Sequence, residues 1–177
     1  MEPVLDRAAV AALVDAAGRA LTGEWLLVGG AAAAVWFDAS RRTEDVDLIG
    51  LAGTAEERIA LMDFAVAAGL SPEVVNSAAD YFVRRIPGWR EAIEVLHRGP
   101  NATIYRPSPT LFLLLKIGRL SEKDLADCVE LIAFARETGA RIDLARVVTA
   151  LAALPATTDT ALSNRRLHLA DNLRAAR

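Results

Sequence analysis

The pattern of hydrophobic and polar positions predicts that the chain opens with a helix and then forms two strands around a short helix. Apolar residues recur every three or four positions over residues 4–22, which is the spacing of an amphipathic helix. The apolar run at 25–28 is typical of a buried strand, and a Gly-Gly turn leads from it into a small helix over 31–37. The alternation that follows predicts a second strand.

This second strand carries two carboxylates. Asp45 and Asp47 are two residues apart, so in a strand their side chains point to the same face, roughly 6.5 to 7 Å apart along the chain. Val46 and Leu48 are expected to point into the core on the other face. Carboxylates at this spacing can share divalent cations, and their oxygens suit a hard cation such as Mg²⁺ or Mn²⁺.

The glycine pair between the two strands provides for an anion. Gly29 and Gly30 lack a Cβ, which allows a positive φ and lets a phosphate approach the amide groups at the start of the next helix. The helix dipole favours negative charge at that end. The stretch 25–50 therefore offers sites for both phosphates and metal ions.

After the second strand, a capping signal predicts a helix. Thr54 followed three residues later by Glu57 is the pattern of a capping box. Within the helix, Ile59, Met62 and Val66 recur at helical spacing and are expected to face inward.

A hairpin is predicted next. Two β-prone runs, 81–86 and 91–97, are separated by a Pro-Gly turn. On the second run Ile93 and Val95 are expected to point into the core and Glu94 to the opposite face, which repeats the alternation of the two aspartates. Glu94 is therefore the candidate third carboxylate, and the alternative is a solvent-exposed strand residue.

The rest of the chain is predicted to contain one short strand and then only helices. The strand spans 102–105, and Ser108 caps the first helix with a proline in its first turn. The predicted organisation is a mixed α/β core over residues 1–107 and an all-helical extension over 108–177, packed on the core as a single compact unit. Further helices are predicted at 121–138, at 143–154 and from 157 onward.

Composition limits the class of protein. Of 177 residues, 53% are hydrophobic and 24% are charged, which is ordinary for a globular domain. The net charge of -3 gives no global attraction to nucleic acid. Cys128 is the only cysteine, which excludes an intramolecular disulfide, and it is expected in the core. With no signal peptide and no long apolar run, the expectation is a soluble cytoplasmic protein that does not contact a membrane.

The central stretch resembles a known family. A Gly-Gly turn after a hydrophobic strand is followed by an Arg-x-Thr-x-Asp-x-Asp strand, here within residues 41–47. This arrangement resembles the minimal nucleotidyltransferases of the DNA polymerase beta superfamily. Within that superfamily it is most similar to the nucleotidyltransferase-like toxins of bacterial abortive-infection and toxin–antitoxin systems.

The resemblance implies a fold, a reaction and roles for residues. The fold would be of the α+β class, with a small mixed sheet flanked by helices and a C-terminal all-helical extension. The reaction would be Mg²⁺-dependent transfer of NMP from an NTP to a hydroxyl acceptor. Asp45 and Asp47 would bind the metal, and Glu94, whose family counterpart is typically an aspartate, would complete the site and accept the proton. The residues expected to bind phosphates are Gly29, Gly30, Arg42 and Lys116.

A second pattern lies beyond the core. Lys116, Arg119, Lys123, Asp124 and Asp127 resemble the Lys-x-x-Arg and Lys-Asp-x-x-Asp pattern of the toxin-like families. Lys116 is expected to reach the triphosphate. The alternative is that it snorkels from a buried helix, with exposed i, i+4 pairs nearby.

The sequence leaves the acceptor open. By resemblance it is RNA, a protein side chain or a small molecule, and an antitoxin is an expected partner. The alternative is a catalytically degenerate nucleotide-binding or regulatory module of the same fold. A third alternative is an unrelated α/β domain with a decorated strand.

Overall fold

The structure, a computed structural model, describes residues 4–176. The chain divides into two compact units, Met1–Pro107 and Ser108–Arg177. The first unit contains a five-stranded mixed sheet with helices beside it, and the second is helical. This architecture confirms the predicted α+β class.

The sheet has the strand order β3-β2-β1-β5-β4. Its central strand β1 pairs with β2 in the antiparallel sense and with β5 in the parallel sense. At the edges, β3 is parallel to β2 and β4 is antiparallel to β5. The strands are β1 (Gly23–Val28), β2 (Val46–Gly50), β3 (Val75–Asn76), β4 (Ile93–Arg98) and β5 (Ala102–Pro107).

The helices begin largely where the sequence signals predict. Capping boxes form at Thr54 and Ser121, and Ser108 caps its helix with a proline in the first turn. The helices of the first unit are α1 (Arg7–Ala20), α2 (Gly29–Trp36), α3 (Ala55–Ala67) and α4 (Asp80–Arg84). Those of the second unit are α5 (Pro109–Ile117), α6 (Glu122–Thr138), α7 (Leu144–Ala152) and α8 (Thr160–Ala175).

The strand register gives the sheet two distinct faces. Opposed residues of paired strands lie on the same side, so Asp47 shares a face with its partner Val28. Leu26 lies two residues earlier in β1 and pairs with Tyr105 of β5, which in turn pairs with Val95 of β4. We call this side, defined by these five residues, the aspartate face.

The opposite side is covered by helices. Ile104 neighbours Tyr105 in β5, so it points away from the aspartate face, and it pairs with His97 of β4. A Cβ added to Gly18 of α1 would lie 2.8 Å from the His97 ring, so α1 packs closely on this side. We call the side that carries His97 and Ile104 the helix face.

Two local predictions in the first unit are wrong. In α3, Ile59, Met62 and Val66 are exposed at 59%, 54% and 69%, and the buried residues are instead Leu61, Phe64 and Ala65. The helix carries two apolar stripes, and the buried one contains the aromatic ring, which removes more area from water.

The second wrong prediction is the hairpin. Residues 81–86 are not a strand, because Asp80–Arg84 forms α4, where an ion pair of 2.7 Å joins Arg84 Nε to Asp80 Oδ1 across one turn. β4 therefore pairs with β5 alone. Val95, predicted to point into the core, is 39% exposed.

The second unit has a conventional helical core. Cys128 is buried, as predicted, and its burial raises the pKa of the thiol. Gly139 ends α6 in the left-handed conformation at φ +74°. Across residues 4–176, no helix combines the length and apolar character needed to cross a bilayer.

Candidate functional site

The glycine turn directly adjoins the acidic strand. Pairing of Val28 with Asp47 brings the end of β1 against the start of β2. Gly29 follows with φ +69°, a conformation that favours glycine, and a Cβ there would lie 3.1 Å from Asp47 Oδ2. The first turn of α2 therefore begins beside a carboxylate of the predicted metal pair.

The first backbone amides of α2 lie in this turn. The N-cap of α2 is Val28, which provides no side-chain hydrogen bond, and the first amides of a helix have no acceptor within it. Glycine at positions 29 and 30 adds no side chain of its own beside these amides. α2 begins at Gly29 and not at the predicted residue 31, which places both glycines inside its positive end.

Thr43 connects the glycine turn with Asp45. Its hydroxyl donates to Asp45 Oδ1 and lies 3.0 Å from both that atom and the Asp45 carbonyl oxygen. Thr43 is 5% exposed and forms a backbone bridge with Leu5, so its position is fixed. A Cβ on Gly30 would lie 2.9 Å from the Thr43 hydroxyl oxygen. The buried threonine thus orients an exposed carboxylate.

Arg41, and not Arg42, borders the glycine pair. A Cβ on Gly30 would lie 2.9 Å from Nη2 of Arg41, whose guanidinium also donates to the Arg42 carbonyl oxygen. Arg42 is exposed on the segment that leads to Asp45. Its contact with a phosphate stays a prediction, and Arg41 is the cation that the structure places at the turn.

The donor set fits a hard divalent cation in part. Asp45 and Asp47 offer carboxylate oxygens on neighbouring positions at the entrance of β2. Mg²⁺ is often held by one or two carboxylates together with water and substrate phosphates. Among residues 4–176, no group of three His, Cys, Asp or Glu side chains is arranged to hold a metal ion.

The expectation that Glu94 converges with the aspartates is wrong. Glu94 pairs with Arg106, which lies two residues from Ile104 and therefore on the helix face, whereas Asp47 lies on the aspartate face. The alternation of side chains within β4 is as predicted, but the side of the sheet on which Glu94 lies depends on how β4 pairs with β5 and how β5 pairs with β1. Glu94 is on the wrong side of the sheet to share a cation with Asp47.

Glu94 instead forms an ion pair with Arg106 on the helix face, and Arg106 also contacts an aromatic ring. Its Oε2 accepts a 2.6 Å hydrogen bond from Arg106 Nη2, and the Arg106 guanidinium carbon lies 3.8 Å from the ring centre of Trp36. Burial lowers the pKa of Arg106, and Glu94 opposes that shift. Since Trp36 ends α2, these contacts tie the far end of that helix to the sheet.

Glu94→Gln is therefore expected to leave metal binding unchanged. The amide oxygen can still accept from Arg106, so the affinity for Mn²⁺, measured by its electron paramagnetic resonance signal, should stay within about twofold of wild type, or less than about 0.5 kcal/mol. Asp47→Asn, measured in parallel, should weaken Mn²⁺ by about tenfold or more. A tenfold loss in Glu94→Gln would return this residue to the metal site.

An amide occupies the position next to Asp47 in the neighbouring strand. Asn76 of β3 pairs with Asp47 and so lies on the aspartate face. Its side chain donates to the Glu73 carbonyl oxygen at 2.9 Å and accepts from the Ala78 amide at 2.9 Å. Asn76 could not be predicted from the sequence, because a two-residue strand carries no periodic signal. The hydrogen bond of Thr43 was also missed, although the Arg-x-Thr-x-Asp-x-Asp spacing could have indicated it.

Lys116 lies in a buried ion cluster of the second unit. Its ammonium donates to Asp124 Oδ1 at 2.7 Å and to Asp127 Oδ2 at 2.9 Å, and both carboxylates are 1% exposed. Arg119 adds a bidentate contact to Asp124. Burial alone would lower the pKa of Lys116, but Asp127 and Asp124 outweigh it and raise that pKa. A contact of Lys116 with a triphosphate stays a prediction.

Asp124 is the centre of this cluster. Its Oδ2 also accepts from the backbone and the hydroxyl of Ser121, which completes the capping box of α6. Burial would raise the pKa of Asp124, but hydrogen bonds from Arg119 and Lys116 hold it well below its ordinary value. Asp124 and Lys116 therefore both remain charged at neutral pH.

Comparisons with known proteins show the fold and the family of the chain. No curated protein matches the chain. A solved structure of an antigenic nucleotidyltransferase-like protein from Paracoccidioides brasiliensis is similar at 19% identity and a TM-score of 0.56, covering 98% of this chain and 95% of that chain, which shows a shared fold. The model of a family described as "Nucleotidyltransferase of unknown function (DUF6036)" matches residues 8–159. The chain belongs to this nucleotidyltransferase family.

Proposed function

We propose that the protein transfers NMP from an NTP to a hydroxyl acceptor in a reaction that requires Mg²⁺ or Mn²⁺. The observation that carries the proposal is the 3.1 Å approach between the Cβ position of Gly29 and the Asp47 carboxylate. It brings the amides that suit a phosphate next to an oxygen ligand that suits a cation. The nucleotidyltransferase family of the chain supports the same reaction.

Each residue of the turn and the acidic strand has a role in this proposal. Asp45 and Asp47 hold the divalent ions, with Thr43 fixing the orientation of Asp45. When bound, the ions neutralise the triphosphate and stabilise the charge that develops during in-line displacement. The amides of Gly29 and Gly30 receive phosphate oxygens.

The cations near the turn complete the phosphate site. Arg41 lies beside Gly30, and we assign it to the triphosphate together with the exposed Arg42. In the transfer step, the acceptor oxygen forms a bond to the α-phosphorus while the bond from that phosphorus to the bridging oxygen breaks. Pyrophosphate leaves, and the hydroxyl proton passes to water.

A second candidate is a nucleotide-binding module that has lost catalysis. It is favoured by the absence of a third carboxylate beside Asp47 within the described aspartate face, where β3 supplies Asn76 and β1 supplies Val28. Two carboxylates can hold a metal–nucleotide complex, since substrate phosphates provide further ligands. Binding without transfer is the expected behaviour of such a module.

One experiment separates the two candidates. The purified chain is incubated with each NTP labelled at the α-phosphate, with Mg²⁺, Mn²⁺ or EDTA, and with RNA, the protein itself or an aminoglycoside as acceptor. Label in the acceptor that requires metal and is lost in Asp45→Asn supports the enzyme. Metal-dependent retention of NTP on the protein without label transfer supports the module. If the folded protein shows neither label transfer nor retention of NTP, both candidates are excluded.

We also propose that the activity belongs to a cytoplasmic toxin–antitoxin system. The support is the resemblance of the Arg-x-Thr-x-Asp-x-Asp stretch to toxin-like nucleotidyltransferases. Induced expression in a bacterial host should arrest growth, and expression of Asp47→Asn at the same level should not. Equal growth of the two cultures would contradict the toxin role but not the transferase.

Gly29→Ala tests the turn itself. A side chain at φ +69° costs about 1–2 kcal/mol of stability and would press on the Asp47 carboxylate. Gly69→Ala is the matched control, because its φ is +70° and nothing lies within 4 Å of its Cβ position. Thermal unfolding should show similar losses in both variants, and only Gly29→Ala should weaken NTP binding in equilibrium dialysis. Equal NTP affinity in the two variants would remove the turn from the site.

A further inference from the structure

Two adjacent aromatic rings are exposed on α4. Tyr81 and Phe82 are 60% and 64% exposed, and their ring centres are 5.5 Å apart at an angle of 83°. Single exposed apolar residues are common, but neighbouring aromatic rings expose a contiguous apolar surface.

Arginine side chains accompany these rings. The guanidinium of Arg85 lies 5.0 Å from the centre of the Tyr81 ring and donates to the Tyr81 hydroxyl. From Tyr81 to Arg90 the sequence contains three arginines and no acidic residue. The acidic residues that flank this segment are Asp80, which is paired with Arg84, and Glu91, which directly follows Arg90. In a chain of net charge -3, this segment is a local concentration of positive charge.

The segment is anchored to the strand that carries Asp47. Arg84 Nη2 donates to the Gly50 carbonyl oxygen at 2.9 Å, and Arg90 Nη2 donates to the Leu51 carbonyl oxygen at 2.7 Å. Gly50 is three residues after Asp47 in β2, which is about 10 Å along the strand. The aromatic pair therefore has a fixed relation to the proposed metal site, at the opposite end of the same strand.

We propose that Tyr81, Phe82 and Arg85 form a stacking surface for a single-stranded nucleic acid, which is the acceptor of the transfer. This inference rests on the proposed function. Bases stack on aromatic side chains and on guanidinium planes, while arginines neutralise the backbone, so the three residues match the chemistry of a flexible polynucleotide. Stacking is tolerant of sequence because every base has a π-face.

The same geometry sets the expected salt dependence. Arg84 is paired with Asp80 and with the Gly50 carbonyl oxygen. Arg85 and Arg90 are exposed and each has a hydrogen bond within the protein, to Tyr81 and to Leu51, but a guanidinium has five N–H donors, so we assign these two arginines to phosphates. Neutralising two phosphates of a single strand gives a slope of about -1.4 for log K against log salt concentration. Binding is therefore dominated by stacking and weakly sensitive to salt.

The test measures binding and needs no catalysis. Fluorescence anisotropy of labelled oligouridylate and oligothymidylate is recorded with the full chain, without NTP or metal. Phe82→Leu keeps an apolar side chain but removes the π-face, and it should weaken binding about tenfold. Ile59→Ala is the control, since Ile59 is 59% exposed and aliphatic, and it should bind within about twofold of wild type. Comparing the two oligonucleotides distinguishes RNA from DNA as the preferred strand.

The outcomes are decisive in both directions. Weakening in Phe82→Leu and Tyr81→Ala, but not in Ile59→Ala, supports the surface. Unchanged binding in Phe82→Leu, or no binding by folded wild-type protein, overturns it and leaves the rings as a contact for a protein. The binding assay contains neither NTP nor metal, so a failed stacking surface is distinguishable from a failed transferase. Both exposed-ring variants should keep the thermal midpoint of wild type.

Discussion

Replacement of Asp47 by asparagine should abolish nucleotide transfer while the protein stays folded. Asparagine keeps the shape of the side chain but removes the charge beside the glycine turn that, in our proposal, holds a divalent ion. If that ion supplies about 4 kcal/mol of transition-state stabilisation, its loss lowers the rate by about a thousandfold. The measurement is the initial rate of label transfer from the α-labelled NTP at saturating Mg²⁺.

Two controls make this result specific. Asp63→Asn removes a carboxylate from the exposed side of α3 and should transfer label at the wild-type rate. Thr43→Val removes the hydroxyl that orients Asp45 and should have a smaller effect, about tenfold, because the metal ligands themselves remain. A rate for Asp47→Asn within tenfold of wild type would mean that the acidic pair is not the metal site.

The structural features that the sequence predicts correctly are local in the chain. Thr54 and Glu57 form the predicted capping box, because its hydrogen bonds join atoms within one helical turn. The glycine pair directly follows β1, and Asp47 lies in β2; the antiparallel register of these two strands brings them together. The proximity of residues on neighbouring elements is therefore predictable from their spacing in the sequence.

The failures concern information that the local pattern does not contain. The side of the sheet on which Glu94 lies depends on two strand pairings and a register shift between Val95 and His97, and a change of one residue reverses the face. In α3 two apolar stripes compete, and only the packing partner decides which is buried. Tyr81 has strand propensity, but α4 forms because its side-chain pairs span one helical turn.

Asp124→Asn is expected to cause the largest loss of stability. The carboxylate is 1% exposed and receives hydrogen bonds from Lys116, Arg119 and Ser121. Without this charge, the buried ammonium of Lys116 keeps Asp127 as its one carboxylate partner among the residues that the structure describes. Breaking a buried ion pair from one side typically costs about 3–5 kcal/mol. Chemical denaturation at neutral pH, followed by circular dichroism, measures the change.

The pH dependence gives an independent check of the same cluster. The lowered pKa of Asp124 adds stability that is present above its ordinary value of 3.8 and is lost as the pH falls further. The raised pKa of Lys116 adds stability that is present below its ordinary value of 10.5 and is lost as the pH rises further. Between these limits, the difference between wild type and Asp124→Asn should be constant, and it should shrink in acid.

Controls then separate a structural cluster from a phosphate site. Asp171→Asn removes an exposed carboxylate paired with Arg174 on α8 and should change stability by less than about 0.5 kcal/mol. If Asp124→Asn lowers the free energy of unfolding by less than about 1 kcal/mol, water already solvates the charges of the cluster. Lys116→Met removes the ammonium but keeps an unbranched apolar chain. If the folded variant binds NTP as wild type does, Lys116 organises the two aspartates and is not a ligand of the triphosphate.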